Sequence, residues 1–71
     1  MTTVNIKLDR KKKYRNAFYL MSIERAMMAT LLVDDYLNVQ ILDGEIEIVS
    51  DNEVFIDMLY GLMKEVEDEN D

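Results

Sequence analysis

The sequence predicts a small α+β domain, an antiparallel sheet of three or four strands with two helices on one face. Three observations predict it. Asp43-Gly44 stands between two runs of alternating apolar and polar residues, the pattern of a hairpin. Phe55, Met58, Leu59, Leu62 and Val66 follow at helical spacing, which marks one buried stripe. Near the start, Val4, Ile6 and Leu8 alternate with Asn5 and Lys7, as in a half-buried strand.

Residues 4–8 form the first strand. Residues 14–21 admit two readings. They are either a second strand, with Tyr14, Phe18 and Tyr19, paired to the first across a turn at residues 9–13, or the start of one long helix capped by Asn16. The strand is preferred, because lysines at a helix start oppose its dipole. The order is then ββαββα, two loose copies of hairpin, serine cap and helix. The long helix gives βαββα within the same fold class. Residues 22–37, rich in Ala, Met and Leu, read as helix with Ser22 as a candidate cap.

The hairpin spans residues 38–49. A type I′ turn at Asp43-Gly44 pairs Leu42 with Glu45, Ile41 with Ile46, Gln40 with Glu47 and Val39 with Ile48. Val39, Ile41, Ile46 and Ile48 then share an inner face, and Gln40, Glu45 and Glu47 share a wet one. Ser50 and Glu53 have capping-box spacing, and the last helix begins there. Gly61 within it costs about 1 kcal/mol against alanine. Residues 1–66 form one compact domain, and residues 67–71 form a frayed acidic tail.

The chain has 71 residues, enough for one small domain, and about half of them are apolar. It has no cysteine and no histidine, so disulfides, zinc fingers and His- or Cys-based catalysis are excluded. Gly44 and Gly61 are the only glycines, so there is no glycine-rich phosphate loop. Asp43-Gly44-Glu45-Ile46-Glu47 lacks the spacing of a calcium-binding EF-hand loop. Asp34 and Asp35, adjacent on a helix, point about 100° apart and make no ready carboxylate pair. No catalytic residue, metal or cofactor is expected. The N-terminus lacks the apolar core of a signal peptide, and residues 26–33 are too short an apolar run to span a bilayer. A cytoplasmic, non-membrane protein is expected.

Charge is divided along the chain. Residues 1–25 hold seven basic groups against Asp9 and Glu24, while residues 26–71 hold thirteen acids against Lys64. The net charge is −7. A core this small contributes only about 3–5 kcal/mol, and such domains often gain a staple from a partner subunit.

The helix at residues 22–37 has apolar residues on two sides. Leu20, Ile23, Met27 and Leu31, with Ala26, Val33 and Leu37 beside them, form one seam. Phe18, Met21, Met28, Leu32 and Tyr36 form a second, nearly opposite. A one-sheet, two-helix domain covers one such face. The second seam is therefore expected to be an apolar interface, for a homodimer or an outside protein.

The acids Asp34, Asp35, Asp43, Glu45, Glu47, Glu65, Glu67, Asp68 and Glu69 are the expected partner-binding face. Glu45 and Glu47 project about 6.6–6.8 Å apart on one strand face. Together these residues describe a non-enzymatic interaction protein, an acidic regulator or inhibitor of a basic, nucleic-acid-binding partner that copies nucleic-acid charge. The alternative is a small nucleic-acid-binding domain that uses Arg10, Lys11, Lys12, Lys13, Tyr14 and Arg15 for phosphate contacts and base stacking.

Overall fold

The computed structural model describes residues 1–30, 32 and 34–70. Its elements are β1 (Thr2–Lys7), α1 (Lys13–Ala29), β2 (Leu37–Leu42), β3 (Glu45–Ser50) and α2 (Glu53–Asn70). The sheet is antiparallel in the order β1-β3-β2. The α+β class holds, and the element order is βαββα.

The hairpin has the register set by its turn and pattern. Leu42 pairs with Glu45, Ile41 with Ile46, Gln40 with Glu47 and Val39 with Ile48. The turn itself differs from the expected type. Gly44 has φ +72°, and Asp34 is the only non-glycine residue with positive φ among those described. Type I′ requires positive φ at both central residues, so Asp43-Gly44 instead has the φ signs of a type II turn. β1 lies on the other side of β3 and sets Val4 opposite Ile48 and Ile6 opposite Ile46.

Residues 14–21 are helical, so the preferred second strand is replaced by the long helix. Placing cations at a helix N-terminus costs about 0.3–1 kcal/mol each and is screened by water and salt. Burying one large apolar side chain contributes about 1.5–3 kcal/mol. Tyr19, Ser22, Ile23 and Ala26 fall on one buried stripe of α1, which requires helical spacing from the start. Asn16 does not cap the helix. Its side chain clasps Asp9, accepting from the Asp9 N–H at 3.2 Å and donating to the Asp9 carbonyl at 2.7 Å. Ser22 is no cap either, because its hydroxyl donates to the Phe18 carbonyl at 2.8 Å from mid-helix.

α1 stops at Ala29, not at residue 37. The chain beyond it is claimed by tertiary contacts. Leu37 pairs with Ser50, the Tyr36 N–H donates to Asp51 at 2.9 Å, and the Asn52 side chain donates to Asp35 at 3.0 Å.

The cap of α2 lies two residues later than the capping box predicts. Asn52 Oδ1 accepts from the Phe55 N–H at 3.0 Å, and its backbone carbonyl accepts from Ile56 at 3.1 Å. Ser50 cannot serve because it belongs to the sheet, where it pairs with both Thr2 and Leu37. Its buried hydroxyl accepts the Asn52 N–H at 3.1 Å. Glu53 is turned to Thr2, whose hydroxyl donates to it at 3.2 Å. Asn52→Ala is therefore expected to lower stability by about 1–2 kcal/mol, read as a drop in the urea midpoint. Ser50→Ala does not remove that cap.

Both helices sit on one face of the sheet. The core joins Val4 and Ile6 of β1, Ile46 and Ile48 of β3, Tyr19, Ile23 and Ala26 of α1, and Phe55, Ile56, Leu59 and Val66 of α2. α2 runs on to Asn70, so Glu67, Asp68 and Glu69 stand on its last turns. Leu31 and Val33 of the first seam, and Asp71 of the tail, lie outside the described residues.

Candidate interaction surface

The covering of the sheet is lopsided. Val39 and Ile41 share the inner face with Ile46 and Ile48 by register. Yet Ile46 is 0% exposed, while Val39 is 39% and Ile41 70% exposed. On the opposite flank, Val4 and Ile6 are buried. Leu37, at the start of β2, is half-buried against the core. The helices therefore cover β1 and β3 and leave Val39 and Ile41 open on the inner side of β2. A groove of about 490 Å³ lies there, lined by Leu20, Ile23, Glu24, Met27, Met28 and Val39. Met28 is 80% exposed at this groove.

The second seam does not run as one line. Because α1 ends at Ala29, Leu32 and Tyr36 fall in the connection to β2. Leu32 is half-buried and packs against the core, and Tyr36 is exposed. Phe18 and Met21, both exposed, instead line a groove of about 220 Å³ between α1 and α2, with Ser22, Arg25, Leu62, Glu65, Val66 and Glu69. Met28 belongs to the other groove. The buried stripe of α1 thus joins Ile23 and Ala26 of the first seam to Tyr19 and Ser22, which belong to neither, and apolar side chains are exposed on both flanks. Leu20 and Met27, read as core, are among them.

The acids are not gathered into one surface. Asp43 is at the hairpin tip, and Asp34 and Asp35 are at the far end of the strands, beside the start of α2. Asp35 is engaged by Asn52. Glu45 and Glu47 are half-buried on the central strand, facing away from the helices between Lys7 and Leu42 and between Asn5 and Gln40. Glu65, Glu67, Asp68 and Glu69 form the densest group, all exposed on the last turns of α2.

The basic residues gather where α1 begins. Asp9 shapes that loop, its side chain accepting the Lys11 N–H at 2.9 Å. Arg10, Lys11, Lys12, Lys13 and Tyr14 are exposed, and Lys11 to Arg15 line a concavity of about 200 Å³. Lys12 stands at the N-cap with no side-chain cap bond. Arg15 lines the same concavity but is half-buried. Its guanidinium lies 5.8 Å from the Tyr19 ring centroid, a cation–π contact, and the Tyr19 hydroxyl donates to Glu67 at 3.4 Å. The basic start of α1 and the acidic end of α2 are thus bridged by Tyr19.

Among the described residues, no group of three or more acidic side chains is placed to hold a metal ion, and no helix is long and apolar enough to cross a membrane. Comparison with known proteins finds no matching family model, no matching curated protein and no matching solved structure.

Proposed function

We propose that the chain is a non-enzymatic protein-binding module, an acidic regulator that holds a basic segment of its partner in the groove between α1 and α2. The observation that carries this reading is the make-up of that groove. Phe18, Met21, Leu62 and Val66 supply an apolar lining, and Glu65 and Glu69 supply carboxylates beside it, against the single cation Arg25 among the described residues of the lining. An amphipathic segment with an apolar anchor flanked by Lys or Arg fits such a groove. The net charge of −7 steers such a partner inward. Inhibition of a nucleic-acid-binding protein is the most concrete form, with these carboxylates occupying a cationic surface otherwise taken by phosphates.

The test uses a fluorescently labelled, lysine-rich amphipathic helical peptide with leucine anchors. Wild type is expected to bind it with an affinity that falls as salt rises. Glu65→Lys/Glu69→Lys is expected to weaken binding about tenfold, equal to about 1.4 kcal/mol. No binding by wild type, or equal binding by the reversed variant, contradicts the proposal.

A second reading has its own support in the cluster of exposed cations and Tyr14 around one concavity. On this reading residues 10–15 bind single-stranded nucleic acid, with Tyr14 stacking a base. Lys11→Glu/Lys12→Glu/Lys13→Glu then abolishes salt-sensitive binding to a labelled oligonucleotide and leaves peptide binding in place.

A further inference from the structure

We propose that β2 pairs edge to edge with β2 of a second copy, antiparallel and centred on Val39, so that two three-stranded sheets become one of six strands. This surface is separate from the α1–α2 groove, and either can fail without the other.

The argument begins with backbone parity. The Leu8 N–H donates to the Gly44 carbonyl at 2.9 Å, so the backbone groups of Gly44 face β1. In an antiparallel ladder, successive residues of the central strand bond alternately to one neighbour and the other. Ile46, Ile48 and Ser50 therefore bond toward β1, and Glu45, Glu47 and Val49 bond toward β2. Their partners on β2 are Leu42, Gln40 and Asn38. The N–H and C=O groups of Leu37, Val39 and Ile41 consequently point away from the sheet, at the free edge.

Those same three residues carry the inner-face side chains of β2. All three offer unused backbone bonds in the plane of the sheet, and Val39 and Ile41 add exposed apolar side chains above it, while Leu37 is half-buried against the core. A helix or a flat apolar surface meets only the second demand. A strand meets both.

Charge selects a second copy as that strand. Two molecules of charge −7 repel, and they approach best where charge is absent. In a chain with 32% charged residues, Leu37–Leu42 contains none. An edge strand is usually protected from such pairing by lysine, proline or inward charge, and β2 has none of these. The two-fold register sets Val39 opposite Val39, Leu37 opposite Ile41 and Asn38 opposite Gln40, with all six apolar side chains on one side. Just past the paired strands the same register sets Asp35 of one copy opposite Asp43 of the other, where Asp35 is held by Asn52 and solvent and salt screen the pair. The two open grooves then meet over the junction. Among the described residues, Glu24 is the only charged one in each lining, and Met28 of each copy reaches over the strip it shares with the other.

The full chain is tested by light scattering and by disulfide trapping. Wild type at millimolar concentration is expected to have twice the 8.4 kDa mass of one chain. Ile41→Lys is expected to abolish the dimer with the circular dichroism spectrum unchanged, since Ile41 is already exposed. The chain has no cysteine of its own, so Val39→Cys provides a single probe. Directly paired strands hold Cα atoms about 5.5 Å apart, within disulfide reach, and Val39→Cys is expected to form a covalent dimer while Met21→Cys does not. A wild-type mass of one chain at millimolar concentration overturns the proposal. So does a dimer that survives Ile41→Lys, or one trapped by Met21→Cys and not by Val39→Cys.

Discussion

Phe55→Ala is expected to leave the chain unfolded at room temperature. Phe55 is fully buried, near the start of α2, in the cluster that both helices and the sheet share. Truncating a buried phenylalanine costs about 3–5 kcal/mol, and a domain this small draws about 3–5 kcal/mol from its whole core. The loss is therefore of the same size as the stability. Far-ultraviolet circular dichroism reads the outcome as lost helical signal, and a cooperative melt near the wild-type temperature would contradict it.

The next largest effect comes from a pair of isoleucines that face each other. Ile46 and Ile41 are cross-strand partners on the same face of the sheet, so their chemistry and register are matched. Only their cover differs, since Ile46 lies under the helices and Ile41 does not. Ile46→Ala is expected to cost about 2–5 kcal/mol. Ile41→Ala is expected to stay within about 0.5 kcal/mol at low protein concentration. Urea denaturation of both variants measures the contrast. Equal losses would mean that β2 is covered like β3 and that its groove is closed.

This contrast also marks the limit of what could be read in the sequence. The hairpin register was legible because turn residues and binary pattern demanded the same pairing. Most of the stripe on α2 was legible for a similar reason, since apolar spacing over about three turns admits one face, although Ile56, buried beside it, falls outside that spacing. The strand order was not. Nothing in Val4, Ile6 or Lys7 states whether β1 joins β3 or β2, and that choice decides which strand is the open edge. The sequence therefore marks Val39 and Ile41 as inner-face residues and is silent on their exposure. The absence of charge from Leu37–Leu42 was the available signal, and it acquires meaning only once that strand is known to be an edge.

The other differences have local causes. Ser50 and Asn52 are both good capping residues, and sheet pairing at Ser50 hands the role to Asn52. The lysines before α1 argued for a strand. Their penalty is smaller than the burial of Tyr19, Ile23 and Ala26, and the helix forms. The second seam assumed a helix that continued to residue 37. With α1 ending at Ala29, Phe18 and Met21 are parted from Leu32 and Tyr36, and apolar surface is divided between two grooves. Of the candidate acids, Glu65 and Glu69 reach an apolar groove, while Glu45 and Glu47 remain on the opposite face of the sheet.

Amide hydrogen exchange along β2 tests most directly whether the edge and inner face of this strand await a second strand. In dilute solution the amides of Val39 and Ile41 should exchange rapidly while that of Gln40, bonded toward β3, stays protected. Raising the concentration should slow Val39 and Ile41 and leave Gln40 as it was. Protection of Val39 and Ile41 equal to that of Gln40 at every dilution, or rapid exchange that concentration never slows, would contradict the account.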